Sequence, residues 1–135
     1  MSKTGIKQMK KNSSASKLRE ILDGKPSLDE TCILHQSLSL IADKWTMLIL
    51  MALMQGTKRN SELQRQIQGI SPKMLAQTLK TLMSYGMVDR RVYAEVPPRV
   101  EYSLTKFGQS TAGPLAALLD WSVEWEAHLR KLYKK

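Results

Sequence analysis

Reactive side chains are scarce in this sequence, which holds one cysteine, Cys32, and two histidines, His35 and His128. A single cysteine excludes an intrachain disulfide and a cysteine-rich zinc site. No histidine and carboxylate are spaced to activate Cys32 as a nucleophile, and there is no Gly-rich phosphate-binding loop. The sequence therefore predicts a protein that is not an enzyme and that needs no metal and no cofactor.

Long apolar runs are also missing. The longest, from Trp45 to Met54, is interrupted by Thr46 and is shorter than the roughly 18 residues that a membrane span needs. The first residues show no signal peptide. The chain has 135 residues, of which 42% are hydrophobic, so we expect a single domain with a real core, located in the cytoplasm.

Acidic residues are fewer than basic ones. The chain has 12 Asp and Glu and 21 Lys and Arg, which gives a net charge of +9. The basic excess is largest in the middle of the chain and not in a tail. A basic globular core favours a polyanionic partner, and nucleic acid before a membrane surface. The alternative is that the charge serves only solubility.

Two short helices are predicted before the central part of the chain. Residues 1–12 are polar and lysine-rich, and we expect a disordered basic arm followed by one domain over 13–135. The first helix carries Leu18, Ile21 and Leu22 on one face and ends near Gly24. Ser27 and Glu30 have capping-box spacing and open the second helix, whose apolar residues are Leu34, Leu38 and Ile41.

The next helix, which Asp43 can cap, runs from Lys44 to Met54 and is apolar on nearly every side, Leu48 included. It should lie in the centre of the core. Residues 57–59 then read as extended.

A helix-turn-helix unit is predicted over about 61–85. Its first helix begins at Ser61, and its second has Ser71 as N-cap and Pro72 in the first turn. Leu75, Leu79 and Leu82 should face the core, whereas the outer side has cations and donors but no carboxylate, a composition that suits contact with DNA. The alternative is an ordinary solvated face. The residues predicted to contact DNA from this helix are Ser71, Lys73, Met74, Gln77, Lys80 and Thr81.

A β-hairpin is predicted over about 87–104, with strands at 87–93 and 99–104. A hairpin placed directly after a recognition helix is a wing, whose basic residues can reach phosphates or the minor groove. The alternative is a plain surface hairpin, and Glu95 near its tip fits DNA contact poorly. The contacts predicted from the wing and from the preceding extended segment are Lys58, Arg59, Arg90, Arg91, Pro98 and Arg99.

Thr105 is expected to cap a long final helix that reaches about residue 132 and is interrupted at Gly113-Pro114. Apolar residues recur along it in steps of three and four, as in a heptad seam. The seam needs a partner, either the rest of the domain or a second subunit, and we favour a homodimer with the first helix alongside. The predicted dimer residues are Leu18, Ile21, Leu22, Leu115, Leu118, Trp121, Trp125, Leu129 and Leu132.

Several stretches resemble one known family. They are Cys32 with the later Asp43-Lys44-Trp45-Thr46, residues 61–63 (Ser-Glu-Leu), residues 69–75 (Gly-Ile-Ser-Pro-Lys-Met-Leu), residues 86–90, residues 96–105 (Val-Pro-Pro-Arg-Val-Glu-Tyr-Ser-Leu-Thr), and Gly108. Across about 32–125 the chain resembles the HxlR-type winged helix-turn-helix regulators of bacteria. The resemblance implies a mainly α fold with a small β-hairpin wing and a dimeric repressor or activator that binds duplex DNA. The chain departs from the family pattern at Asn60, Ala76 and Asp43, where Phe, Thr and Gly are usual.

In several members of that family the cysteine at the position of Cys32 senses oxidants or electrophiles. Its place near a helix N-terminus and His35 three residues later favour thiolate, whereas Asp29 and Glu30 oppose it. The alternative is a small core residue. With one cysteine, sensing would use an intersubunit disulfide, a small-thiol adduct or alkylation by an electrophile.

The sequence thus predicts a homodimeric, sequence-specific regulator on an inverted-repeat operator. A winged-helix protein-interaction module and a nonspecific architectural DNA binder are the alternatives.

Overall fold

The structure is a computed structural model that describes residues 14–24, 29 and 33–134. The chain divides into two compact units, residues 1–39 and residues 40–135. The predicted basic arm over 1–12, the capping box of Ser27 and Glu30, and Cys32 lie outside the described residues. The single domain predicted over 13–135 stays a prediction.

The first unit contributes helix α1, described over 14–23, and most of helix α2, Ile33–Ile41. None of the α2 residues is buried, and Leu34 and Leu38 are exposed. Leu18 and Ile21 of α1 are exposed as well. Of the apolar residues that the sequence predicts for these helices, four are therefore exposed, whereas Leu22 and Ile41 are half-buried.

The second unit contains seven further elements of regular structure before its last two helices. In chain order they are α3 (Lys44–Met54), β1 (Lys58–Arg59), α4 (Asn60–Gln66), α5 (Pro72–Ser84), β2 (Val88–Tyr93), β3 (Arg99–Leu104) and α6 (Lys106–Gln109). Helices α7 (Ala112–Glu124) and α8 (Glu126–Leu132) complete the chain.

The three strands form one antiparallel sheet in the order β1-β3-β2. In the hairpin, Arg91 lies opposite Glu101, and Tyr93 lies opposite Arg99. β1 pairs with β3 so that Lys58 lies opposite Tyr102. The extended segment and both predicted hairpin strands are present, and β3 has the predicted bounds.

Helix α3 supplies the centre of the core, as predicted, but not on every side. Ile49 and Leu50 are fully buried, whereas Leu48 is 41% exposed. The prediction for Leu48 was wrong because α5, β3 and α7 contact only part of the circumference of α3. The other elements contribute the remaining buried residues Leu63, Ile67, Ile70, Leu75, Leu79, Leu82, Met87, Val88, Tyr102 and Leu115.

Among the described residues, no single helix is long and apolar enough to cross a membrane, although the bent pair α2 and α3 together reaches the length and composition.

One predicted helix start and one predicted helix cap need correction. Helix α4 begins at Asn60 instead of Ser61, because the Glu62 carboxylate accepts the backbone N–H of Arg59 at 3.0 Å and satisfies a donor one position earlier. Asp43 stands at the N-cap of α3, but its side chain makes no bond to the backbone there. It accepts the hydroxyl of Thr46 at 3.1 Å instead.

The predicted long final helix is three helices. The chain breaks at Ser110-Thr111 and again at Trp125, and Gly113-Pro114 lie inside the first turn of α7. The prediction failed because the N–H groups of a first helical turn make no hydrogen bond within the helix. The missing N–H of Pro114 therefore costs α7 no hydrogen bond, and the proline does not interrupt the helix. The predicted cap is confirmed, since the Thr105 hydroxyl accepts the N–H of Gly108 at 3.0 Å.

Helix α6 is tied to the end of α5. The Thr105 hydroxyl donates to the carbonyl of Gly86 at 2.6 Å, and the Thr105 N–H donates to the carbonyl of Met87 at 3.0 Å. A Cβ on Gly108 would collide with that same Met87 carbonyl. Only glycine allows this close approach.

Candidate nucleic-acid interface

The turn between α4 and α5 is closed by local hydrogen bonds. The Gln64 side-chain amide donates to the carbonyl of Ile70, and Gly69 adopts a positive φ of 90° that favours glycine. Ile67 and Ile70, on either side of the turn, are buried. The turn therefore fixes the direction in which α5 leaves α4.

Helix α5 begins as the sequence predicts. The Ser71 hydroxyl accepts the N–H of Met74 at 3.0 Å, and Pro72 occupies the first turn. Leu75, Leu79 and Leu82 are buried against the core. Their burial leaves the opposite side of α5 in solvent.

The exposed side of α5 is here called the α5 stripe and consists of Lys73, Ala76, Gln77 and Lys80, with Thr81 half-buried beside it. No Asp or Glu occurs in α5, and neither lysine forms an ion pair with any described residue. The Gln77 side-chain amide also has no hydrogen bond among the described residues, so its donor and acceptor both face solvent.

The other predicted α5 contacts differ in availability. Met74 is 36% exposed and offers an apolar surface next to Lys73. The Thr81 hydroxyl donates to the Gln77 carbonyl at 3.0 Å, so its hydrogen is committed within the helix. Ser71 is exposed, but its hydroxyl serves as the helix cap. Among the polar groups, the two lysines and Gln77 are therefore the freest to meet a ligand.

The contacts predicted from the strands and from the hairpin loop also differ in exposure and in pairing. Lys58 is half-buried, whereas Arg59, Arg90, Arg91 and Pro98 are exposed. Arg99 is half-buried and forms ion pairs of 3.4 Å with both Glu95 and Glu101. Its guanidinium is therefore already partnered by carboxylates.

The residues predicted for dimerisation are solvent-accessible, with one exception. The exposed fractions are 52% for Trp121, 49% for Trp125 and 66% for Leu132, and Leu118 is also exposed. Leu22 and Leu129 are half-buried. Leu115 is only 4% exposed and packs in the core of its own chain, where it contributes no accessible surface.

The heptad spacing did not find three further exposed apolar residues, Leu119, Val123 and Tyr133, which lie beside the predicted seam. Helix α7 is apolar on more than one side, and Leu115 is its only buried residue. A count of apolar residues on all sides of the helix, instead of a heptad pattern on one side, would have predicted these exposed residues.

A helix-turn-helix followed directly by an antiparallel hairpin is the architecture of a winged helix-turn-helix, with α5 as its recognition helix. The family model described as HxlR-like helix-turn-helix matches residues 40–130, and the chain belongs to this family. The resemblance and the fold class predicted from the sequence are both confirmed.

Three similar proteins illustrate the match. The chain is 47% identical over 92 residues, 68% of this chain and 73% of the relative, to the uncharacterized HTH-type transcriptional regulator YtfH of Escherichia coli (strain K12). The structure of the redox regulator HypR in its reduced form superimposes with a TM-score of 0.70 at 32% identity and covers 74% of this chain and 99% of HypR. The reduced transcriptional regulator YodB from B. subtilis gives a TM-score of 0.62 at 33% identity, over 71% of this chain and 92% of YodB. The chain is thus a transcriptional regulator with a DNA-binding helix-turn-helix fold, similar to other transcriptional regulators.

Proposed function

We propose that the protein regulates transcription as a homodimer that binds an inverted-repeat operator. The observation that carries the proposal is the α5 stripe, in which Lys73 and Lys80 have no carboxylate partner among the described residues. Phosphates supply the missing negative charge, and the edges of bases in the major groove supply partners for Gln77.

The DNA contacts proposed for each copy come from two surfaces. The recognition helix contributes Ser71, Lys73, Met74, Gln77, Lys80 and Thr81. The sheet and the loop between β2 and β3 contribute Lys58, Arg59, Arg90, Arg91, Pro98 and Arg99. Within the second set, Arg99 already forms ion pairs with Glu95 and Glu101.

The proposed dimer surface is the exposed apolar part of α7 and α8. Beyond Leu115, neither helix has a buried residue in the single chain. A contiguous apolar surface that contains Trp121 and Trp125 marks a protein interface. A second copy is the partner that an inverted-repeat operator requires, since two recognition helices about 34 Å apart enter successive major grooves.

The experiment that tests the proposal is selection of genomic DNA fragments on the purified, reduced protein at moderate salt, followed by sequencing. We expect an inverted repeat among the retained fragments. Salt-sensitive retention without a shared motif would instead favour a nonspecific architectural binder. No retention of any fragment would contradict DNA binding and favour a protein-interaction module.

We further propose that Cys32 makes DNA binding sensitive to oxidants. Support comes from the similarity to HypR, which is described as a redox regulator, and to YodB, whose structure is also known after diamide treatment. In the proposed step, the Cys32 thiols of two subunits lose two protons and two electrons, and a disulfide forms. Diamide accepts both protons and both electrons as its N=N bond is reduced to a hydrazine.

The test compares operator affinity before and after diamide for the wild type and for Cys32→Ser. We expect the affinity of the wild type to change and that of Cys32→Ser to stay constant. A non-reducing gel shows whether the change accompanies a covalent dimer. Equal affinity of reduced and treated wild type would refute redox sensing and leave DNA binding standing.

A further inference from the structure

The start of helix α3 carries a lysine that none of the DNA contacts proposed so far includes. Lys44 is exposed, and its Nζ lies 4.4 Å from the centre of the ring of Trp45, the next residue. Lys44 forms no ion pair with any described residue. An aromatic face attracts a cation without neutralising it, so Lys44 keeps its charge for another partner.

The acidic residue beside Lys44 is engaged elsewhere. The Asp43 carboxylate accepts the hydroxyl of Thr46 at 3.1 Å, and Thr46 is only 5% exposed. The first turn of α3 contains no Asp or Glu. The ammonium of Lys44 therefore has no carboxylate contact on its own helix.

Trp45 connects Lys44 to the turn between α4 and α5. Its side chain is half-buried and packs against the core. The Cη2 atom of its ring lies 3.8 Å from the position that a Cβ on Gly69 would occupy. Gly69 is exposed and stands two residues before Ser71, the N-cap of α5. These contacts place the Lys44 ammonium beside the turn that leads into the recognition helix.

We propose that Lys44 contacts a phosphate of the operator at the edge of the major groove that α5 enters, with Trp45 as the residue that positions it. The inference rests on the proposed DNA binding and adds a contact from α3. In a helix-turn-helix, the N-terminal residues of the recognition helix contact base edges in the groove. The turn just before those residues lies at the rim of the groove, where the phosphates are. A lysine beside this turn therefore adds affinity without reading the sequence.

The dependence of affinity on salt measures this contact. The probe is a duplex with the most strongly retained genomic fragment, titrated over a range of salt with wild type, Lys44→Ala and Lys44→Arg. We expect Lys44→Ala to weaken binding about tenfold at moderate salt. The slope of log affinity against log salt should fall by about two units for the dimer, one for each copy. Lys44→Arg keeps the charge and should keep both affinity and slope.

Two further variants control this measurement. Lys106→Ala removes another exposed lysine that is also the first residue of a helix, and it should leave affinity within about twofold. Lys73→Ala should lower the salt slope, which shows that the method detects a lost phosphate contact. An unchanged slope for Lys44→Ala, with Lys73→Ala behaving as expected, would overturn the Lys44 contact and leave DNA binding intact. Failure of the wild type to bind any fragment would instead contradict the proposed function.

Ethylation interference locates the contact on the operator. Ethylation removes the charge of a single phosphate, so it blocks binding wherever a cation needs that charge. We expect one phosphate in each half-site whose ethylation weakens binding of the wild type but not of Lys44→Ala. Identical interference patterns for the two proteins would contradict a phosphate contact by Lys44.

The positioning role of Trp45 is tested by combining variants. Trp45→Leu should weaken binding several-fold in the wild type and have little further effect in Lys44→Ala, because the ring acts through the lysine. Trp45→Phe keeps an aromatic face and should retain most of the affinity, and circular dichroism checks that each variant is folded. An equal loss from Trp45→Leu in both backgrounds would mean that Trp45 only supports the turn, and would overturn its positioning role.

Discussion

The recognition helix and the wing both carry basic residues, but they hold them in opposite ways. On α5, Lys73 and Lys80 have no carboxylate partner among the described residues. On the wing, Arg99 is held by Glu95 and Glu101, and both Arg91 and Arg99 stack on Tyr93. The difference teaches that a count of basic residues does not measure affinity for DNA. Unpaired cations attract a polyanion, whereas paired cations shape the surface that meets it.

The largest expected change in DNA affinity comes from separating the two copies of the proposed dimer. One recognition helix and one wing would then bind DNA alone. The double variant Trp121→Asp, Trp125→Asp places charge in the proposed dimer surface. We expect a monomer whose affinity for the inverted repeat falls at least about a hundredfold, because the second half-site no longer adds its contacts. Sedimentation and fluorescence anisotropy measure mass and affinity. Lys131→Asp, on the exposed part of α8, is the matched control, and a double variant that remains dimeric would contradict the proposed surface.

A smaller loss should follow removal of one unpaired cation from α5. Lys73→Ala should weaken binding about tenfold at moderate salt and less at high salt, because its contribution is electrostatic. Lys106→Ala on α6 removes an exposed lysine outside the α5 stripe and should have little effect. Equal effects of the two variants would mean that only overall charge matters and would remove the distinction between helix and wing.

The Gln77 side chain should give specificity more than affinity. A glutamine that faces the major groove pairs with N6 and N7 of adenine, and its loss costs about 1–3 kcal/mol of discrimination at one base pair. Gln77→Ala should therefore accept all four bases at one position of each half-site and keep its preferences elsewhere. Selection of randomised half-sites checks this, and an unchanged preference at every position would exclude Gln77 from base recognition.

The smallest effect is expected on the wing, at Arg91. Its guanidinium stacks on Tyr93, and the residue pairs with Glu101 in the hairpin register, so Arg91→Ala should change affinity by less than about threefold. Arg90 lies on the other face of β2 and is exposed, so Arg90→Ala is the natural comparison. A loss for Arg91→Ala as large as that for Lys73→Ala would show that stacking on Tyr93 does not limit the contribution of Arg91 to DNA binding.

Local signals in the sequence were enough for much of the fold. Ser71 and Pro72 located the start of α5, alternation located β3, and Thr105 was correctly predicted as a cap. These signals act between residues a few positions apart, so they can be identified from the amino-acid sequence alone.

The sequence did not predict features that depend on packing or on strand register. The exposure of Leu48 and the burial of Leu115 depend on which neighbours cover α3 and on where α7 leaves the core. Glu95 looked misplaced near the wing tip until the hairpin set its distance to Arg99. The pairing of Arg99 with Glu101 likewise requires the folded strands, because it depends on how the side chains lie along the hairpin face.

The Thr105 hydroxyl, which joins Gly86 to Gly108, has a consequence for operator geometry. It joins the end of α5 to the start of the terminal helices in one unit, here called the bracket. The close contact at Gly108 leaves no room for a side chain there. In the proposed dimer, two such brackets would be joined through α7 and α8. The angle at which the two copies meet would then set the distance between the two halves of the inverted repeat.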